Sequence, residues 1–154
     1  MKTVVMTGGT AGLGEVAAQQ ISRSSNTRLI IGARARRALT EITVLPLDLA
    51  RLASVQAFAE AIFDTLNGTG IDALVLNAGA QFPNVDQRTE DGFETTFAVN
   101  HLAHYLLLRL LLPKLAQQAG VVITTSDTHD PKTNPSAASW PDFALTHPRS
   151  CAIC

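Results

Sequence analysis

The chain has 154 residues, 46% of them hydrophobic and 16% charged, enough to bury one core and too few for a second substantial domain. That apolar share excludes a disordered or fibrous protein. Twelve Lys and Arg against thirteen Asp and Glu leave a formal net charge of -1, so there is no global electrostatic case for nucleic acid or an anionic membrane as partner.

In chain order, Thr3-Val4-Val5-Met6 reads as a first strand, and the apolar spacing over residues 13–22 predicts a helix behind it. Leu29-Ile30-Ile31 and Ile42-Thr43-Val44-Leu45 follow as the second and third strands. Only residues 34–41 lie between them, so the crossover helix that parallel strands need must be a stub. Leu52, Val55, Phe58, Ala59, Ile62, Phe63 and Leu66 recur at three-four spacing and predict the next helix. Ala73-Leu74-Val75-Leu76 is a fourth strand, residues 93–115 a long helix, and Val121-Val122-Ile123-Thr124-Thr125 a fifth strand. The strands are continuous apolar runs, which is how strands covered on both faces look. Strands alternating with helices predict an α/β fold, a Rossmann-type doubly wound parallel sheet of five strands that is incomplete at its C-terminal side.

Residues 127–154 hold four of the seven prolines, Pro131, Pro135, Pro141 and Pro148, and no strong period. The expected organisation is a dinucleotide-binding domain over 1–126 and an irregular, proline-rich tail over 127–154. The only two cysteines, Cys151 and Cys154, form a CxxC on the last four residues. A zinc site needs two more ligands, so this pair reads as part of a reduced tail. No apolar run approaches the ~18–20 residues of a membrane helix, and Val4-Val5-Met6 is too short for a signal-peptide core, so the expected location is cytoplasmic. Over residues 102–112 leucines cover nearly the whole helix circumference. Such a helix wants burial all round, and self-association through the 93–115 helix is the simplest way to provide it. Tyr105, on the same helix, reads as a core residue.

Chemistry enters at Thr7-Gly8-Gly9-Thr10-Ala11-Gly12-Leu13-Gly14, directly after the first strand and opening the first helix. Glycine is wanted there for a tight turn, for close approach of backbone N–H groups to a pyrophosphate, and for tight packing of helix on strand. No Lys-Ser/Thr of a P-loop follows, which disfavours ATP or GTP hydrolysis. An NAD site would place an acid at the end of the second strand, on the ribose 2′-hydroxyl. This chain has Gly32-Ala33-Arg34 there, and an arginine suits a 2′-phosphate, with Arg36 and Arg37 able to add charge. The expected cofactor is therefore NADP, with NAD less favoured.

Thr7 to Gly14, Asp48-Leu49 after the third strand, Asn77-Ala78-Gly79 after the fourth, Asn100 in Phe97-Ala98-Val99-Asn100-His101-Leu102, and Ser126 at the end of the fifth come in the order seen in short-chain dehydrogenases/reductases. From Met1 to about Asp130 the chain resembles the N-terminal part of that family, closest to its retinol dehydrogenase and protochlorophyllide reductase-like branch. The resemblance implies a cofactor site built from Thr7, Gly8, Thr10, Gly12, Leu13, Gly14, Arg34, Asp48, Leu49, Asn77, Ala78 and Gly79. Asp48 would lie near the adenine, and Asn77-Ala78-Gly79 would line the pocket. It further implies that Asn100 is the proton-relay asparagine and Ser126 the substrate-orienting serine of an Asn-Ser-Tyr-Lys set.

Taken alone, these residues have plainer readings. Asp48 could cap the next helix, Asn77 and Asn100 could satisfy backbone groups, and Ser126 is a serine at a strand end. His101 and His104 make only two ligands, which is not a metal site, and no metal is expected. The departure from the family is an absence: after Ser126 there is no tyrosine, and Lys132 is the single lysine, so the Tyr-x-x-x-Lys pair that moves the proton and holds the ribose is missing. The expected function is an NADP-dependent oxidoreductase of this family, transferring hydride to a carbonyl or double bond of a small-molecule substrate, with this chain a catalytically incomplete, truncated form of it. The alternative is a non-catalytic NADP(H)-binding or interaction module.

Overall fold

Along β1 (Lys2–Thr7) successive side chains turn to opposite faces of the sheet. Val5 joins one buried cluster, while Val4 and Met6 join another. The same alternation runs through β2 (Thr27–Ala33), where Ile30 faces the first cluster and Leu29 and Ile31 the second. It recurs in the strand Ile71–Leu76, where Leu74 and Leu76 oppose Val75. Both faces are apolar because both are covered. The computed structural model describes residues 1–34, 42–84 and 86–126. The stub between the second and third strands, with Arg36 and Arg37, and the proline-rich tail with its two cysteines fall outside those residues. The sheet and its helices form the compact unit Met1–Ile123, whereas Thr124, Thr125 and Ser126 belong to the next unit.

With β3 (Ile42–Pro46), β4 (Ile71–Leu76) and β5 (Leu115–Ile123) the sheet has five strands, all parallel, in the order β3-β2-β1-β4-β5. This is the doubly wound arrangement expected from the strand pattern. On one face α1 (Gly12–Ser22) lays Ala17, Ala18 and Ile21 over Met6, Leu29 and Ile31. On the other lies α2 (Leu52–Leu66), whose Val55, Phe58, Ala59, Ile62 and Leu66 are buried at the spacing of a single helix stripe. Asn67 ends it in the left-handed conformation with φ 48, and Gly68 follows. Among the described residues no helix is long and apolar enough to cross a membrane.

The helix expected over 93–115 is a composite. It begins with α3 (Thr95–Phe97), passes through a π-helical turn (Ala98–Leu102), continues as α4 (Ala103–Leu111) and closes in a 3-10 turn (Leu112–Lys114). Its start is capped by Glu94, whose carboxylate accepts from the N–H groups of Thr96 at 2.8 Å and Phe97 at 2.6 Å. Burial pushes this carboxyl up, but those two hydrogen bonds, a further one from the Thr96 side chain and the charge of Arg88 together outweigh it and hold it below the ordinary range. The leucines of α4 are less bare than the sequence pattern suggests, because α2 packs beside them: Leu107 and Leu111 are fully buried, and Leu106, Leu108 and Leu110 are half-buried against the same cluster. Tyr105 is not a core residue. It is 57% exposed, on the flank of α4 that neither α2 nor the sheet covers.

β5 also differs from its expected bounds of 121–125. It starts directly after the 3-10 turn, and its register on β4 slips between Ile71 facing Leu115 and Ala73 facing Gly120, so the strand absorbs extra residues in a bulge.

Candidate functional site

Winding outward from β1 in both directions leaves a crevice where the connections part, at the carboxyl ends of β1 and β4. The segment Thr7 to Gly14 leaves β1 into this crevice, and Asn77-Ala78-Gly79 leaves β4 beside it. Thr7, fully buried, ties the two ends together: its Oγ1 accepts the N–H of Asn77 at 3.0 Å and of Ala78 at 3.1 Å. The Asn77 side chain answers by donating from Nδ2 to the Gly8 carbonyl at 3.1 Å.

Two glycines are needed here for different reasons. Gly12 has φ +57, and a Cβ placed on it would meet nothing within 4 Å, so the backbone angle demands glycine and the space in front of it is free for a ligand. Gly14 has an ordinary angle, but a Cβ on it would land on the Gly8 carbonyl oxygen and lie 2.6 Å from Asn77 Nδ2. The first turn of α1 can therefore approach the strand ends only as glycine. Ala11, the residue before α1, makes no side-chain cap. The N–H groups and partial positive charge of the helix start favour an anion. Leu13, at this turn, is 88% exposed, and Thr10 is half-buried. A helix start that opens on a glycine with free space in front of it fits a dinucleotide pyrophosphate.

Of the remaining expected residues, Arg34 is exposed, one residue beyond the end of β2. Asp48 does not cap α2: its Oδ1 accepts the Ala50 N–H at 3.0 Å in a turn ahead of that helix, and its own N–H donates to Ser54 Oγ at 2.9 Å. The cap comes instead from Asp91, whose Oδ2 accepts the Leu52 N–H at 2.9 Å. Leu49 is buried in the core, which leaves its backbone rather than its side chain to line a ligand.

Asn100 sits in the middle of the π turn and clamps the loop after β4. Its Oδ1 accepts the Ala80 N–H at 2.9 Å and its Nδ2 donates to the Ala80 carbonyl at 2.8 Å. Both polar ends of the side chain are used, so the amide fixes the crevice wall. π turns recur at functional sites because one extra residue per turn redirects side chains and carbonyls. Ser126 is exposed, three residues past β5. The structure thus brings together Thr7, Gly8, Gly12, Gly14, Asn77, Ala78, Gly79 and Asn100 at one end of the sheet.

His104 is a member of this network that sequence reasoning weighs only as a metal ligand with His101. The two imidazoles part: His101 is exposed, with its ring centroid 5.4 Å from that of Phe97, whereas His104 is 7% exposed with Nε2 3.0 Å from Thr7 Oγ1 and Nδ1 3.2 Å from the Asn100 carbonyl. Spacing hints at the second contact, since Asn100 and His104 are one turn apart, but nothing local announces a partner 97 residues away.

The family model for short chain dehydrogenases matches residues 2–139. Among curated proteins, retinol dehydrogenase 14 of Mus musculus is 36% identical over 141 residues, covering 77% of this chain and 41% of the relative. Protochlorophyllide reductase A of Oryza sativa is 37% identical over 125 residues, covering 73% of this chain and 32% of the relative. The chain thus spans well under half the length of these relatives. Among solved structures, an alcohol dehydrogenase from the archaeon Thermococcus sibiricus, complexed with 5-hydroxy-NADP, superimposes with a TM-score of 0.66 at 27% identity, over 84% of this chain and 60% of that one.

Proposed function

The chain belongs to the short-chain dehydrogenase family, and from that premise we propose that it binds NADP(H) in the crevice between β1 and β4, as the cofactor-holding part of an oxidoreductase acting on a carbonyl or double bond. The observation that carries this reading is the glycine turn opening α1 at the ends of β1 and β4, where a Cβ on Gly12 would meet nothing within 4 Å and Gly14 lets the helix start close on the Gly8 carbonyl. When bound, a nicotinamide dinucleotide supplies hydride. Its pyrophosphate would be held by the N–H groups of the glycine turn, while Thr7, Asn77 and Asn100 keep the two strand ends and the Ala80 loop in place around it. The matched relatives are dehydrogenases and reductases, which favours this reading over a non-catalytic binding or interaction module.

NADP is proposed over NAD because Arg34 follows β2, where the adenosine ribose of a dinucleotide on this fold lies. A charge-assisted contact to a 2′-phosphate contributes about 1.5–3 kcal/mol, roughly tenfold or more in affinity. Fluorescence titration of the purified chain is expected to show NADPH binding at least about tenfold tighter than NADH. Arg34→Ala should remove that difference while leaving NADH affinity unchanged. Equal affinities in the unmodified chain would rule out the NADP assignment.

A further inference from the structure

Thr7 has one hydroxyl proton and two lone pairs. Both lone pairs are engaged by N–H donors, from Asn77 and Ala78. Among the described residues the proton has one partner in reach, His104 Nε2 at 3.0 Å, which makes Nε2 the acceptor. The imidazole is then neutral with its proton on Nδ1, and Nδ1 faces an acceptor, the Asn100 carbonyl, at 3.2 Å. Every donor and acceptor in this buried group is matched in that arrangement and in no other. With a proton on Nε2, three donors would converge on Thr7 Oγ1 and the hydroxyl proton would have to turn away.

We propose that His104 is a positioning residue for the cofactor crevice: its neutral Nδ1–H imidazole accepts the Thr7 hydroxyl proton, keeps both Thr7 lone pairs on the Asn77 and Ala78 N–H groups, and thereby locks the ends of β1 and β4 together. It also links that lock to the π turn carrying Asn100. The consequence for cofactor affinity rests on the proposed NADP(H) reading; the tautomer and the lock do not. Burial lowers the His104 pKa below 6.5, the Asn100 hydrogen bond partly opposes this, and His101 lowers it further. The buried side chains that α2 and the sheet contribute to the cluster around α4, Phe58, Ile62 and Leu76 among them, carry no charge. A histidine whose folded pKa is lowered costs nothing above its unfolded value and destabilises the folded state as pH falls below it. The lock should therefore hold at neutral pH and weaken in acid.

The test combines 15N NMR of the imidazoles in the 154-residue chain with NADPH titration. At neutral pH His104 is expected to show a protonated Nδ1 and a bare Nε2, with the Asn77 and Ala78 amides protected from exchange and losing protection as His104 titrates in acid. His104→Leu should expose those amides and weaken NADPH binding by about tenfold. His104→Gln, whose carbonyl oxygen can take the Thr7 proton, should restore most of the affinity and remove its loss in acid. A proton on Nε2, or His104→Leu binding NADPH like the unmodified chain, overturns the proposal. Absence of NADPH binding in a chain that shows the Nδ1–H tautomer and protected amides would refute the dinucleotide reading and leave the lock standing.

Discussion

Gly14→Ala is expected to abolish NADPH binding and to destabilise the chain by about 1–3 kcal/mol or more. The added methyl meets a backbone oxygen, that of Gly8, and the amide nitrogen of Asn77. The first is backbone, and the second, the side-chain Nδ2, is held on that same Gly8 oxygen while the Asn77 backbone N–H is held by Thr7. Relief therefore requires the whole first turn of α1 to move off the strand ends, which destroys the crevice. Gly12→Ala is the informative contrast. Space is open there, so the cost is that of a left-handed alanine, about 1–2 kcal/mol, while the methyl occupies the approach to the backbone. Urea melts with cofactor titrations separate the two. A Gly14→Ala chain as stable as the parent would mean that α1 does not seat against the strand ends as described.

Turnover is the second place where a large effect is expected. The 154-residue chain should show no appreciable reduction of aldehydes, ketones or quinones with NADPH. Hydride transfer to a carbonyl leaves an alkoxide that must gain a proton, and a positioned general acid contributes about 10²–10⁴ in rate. The tyrosine and lysine that serve in the family are not among these residues: the one tyrosine, Tyr105, lies exposed on a flank of α4. His104 cannot substitute, since it is buried and committed to Thr7 and Asn100. An NADPH-oxidation assay over a carbonyl panel reads the outcome. Robust turnover abolished by Ser126→Ala would show that another donor completes the site.

How far these features can be read from the sequence varies with the range of the interaction. Runs such as Leu29-Ile30-Ile31 declare a strand covered on both faces because each side chain alone must be apolar, and α2 declares itself by a stripe from Val55 to Leu66. The glycine turn is legible because strained angles and close approach leave no other residue type. The composite nature of the 95–114 helix is not, since a single extra residue at Ala98–Leu102 leaves no mark on an already apolar helix. The early start of β5 is hidden because Gln117 and Gln118 are polar residues with no buried face to report. Tyr105 goes astray for the opposite reason: α2 takes the Leu107 and Leu111 side of α4, and that choice is made by packing between distant segments. Asn100 is legible as a site residue, but its clamp on Ala80 and the His104 to Thr7 contact depend on the fold being formed.

A dinucleotide held between the ends of β1 and β4 by the glycine turn and the Asn77 to Ala80 loop should leave its footprint on the backbone amides of both segments. Hydrogen exchange of the 154-residue chain with and without saturating NADPH reads that footprint. Slowed exchange is expected at the amides of residues 8–14 and 77–80, with little change over the distant amino ends of the strands. No change anywhere, or protection confined to residues outside those two segments, would contradict binding in this crevice.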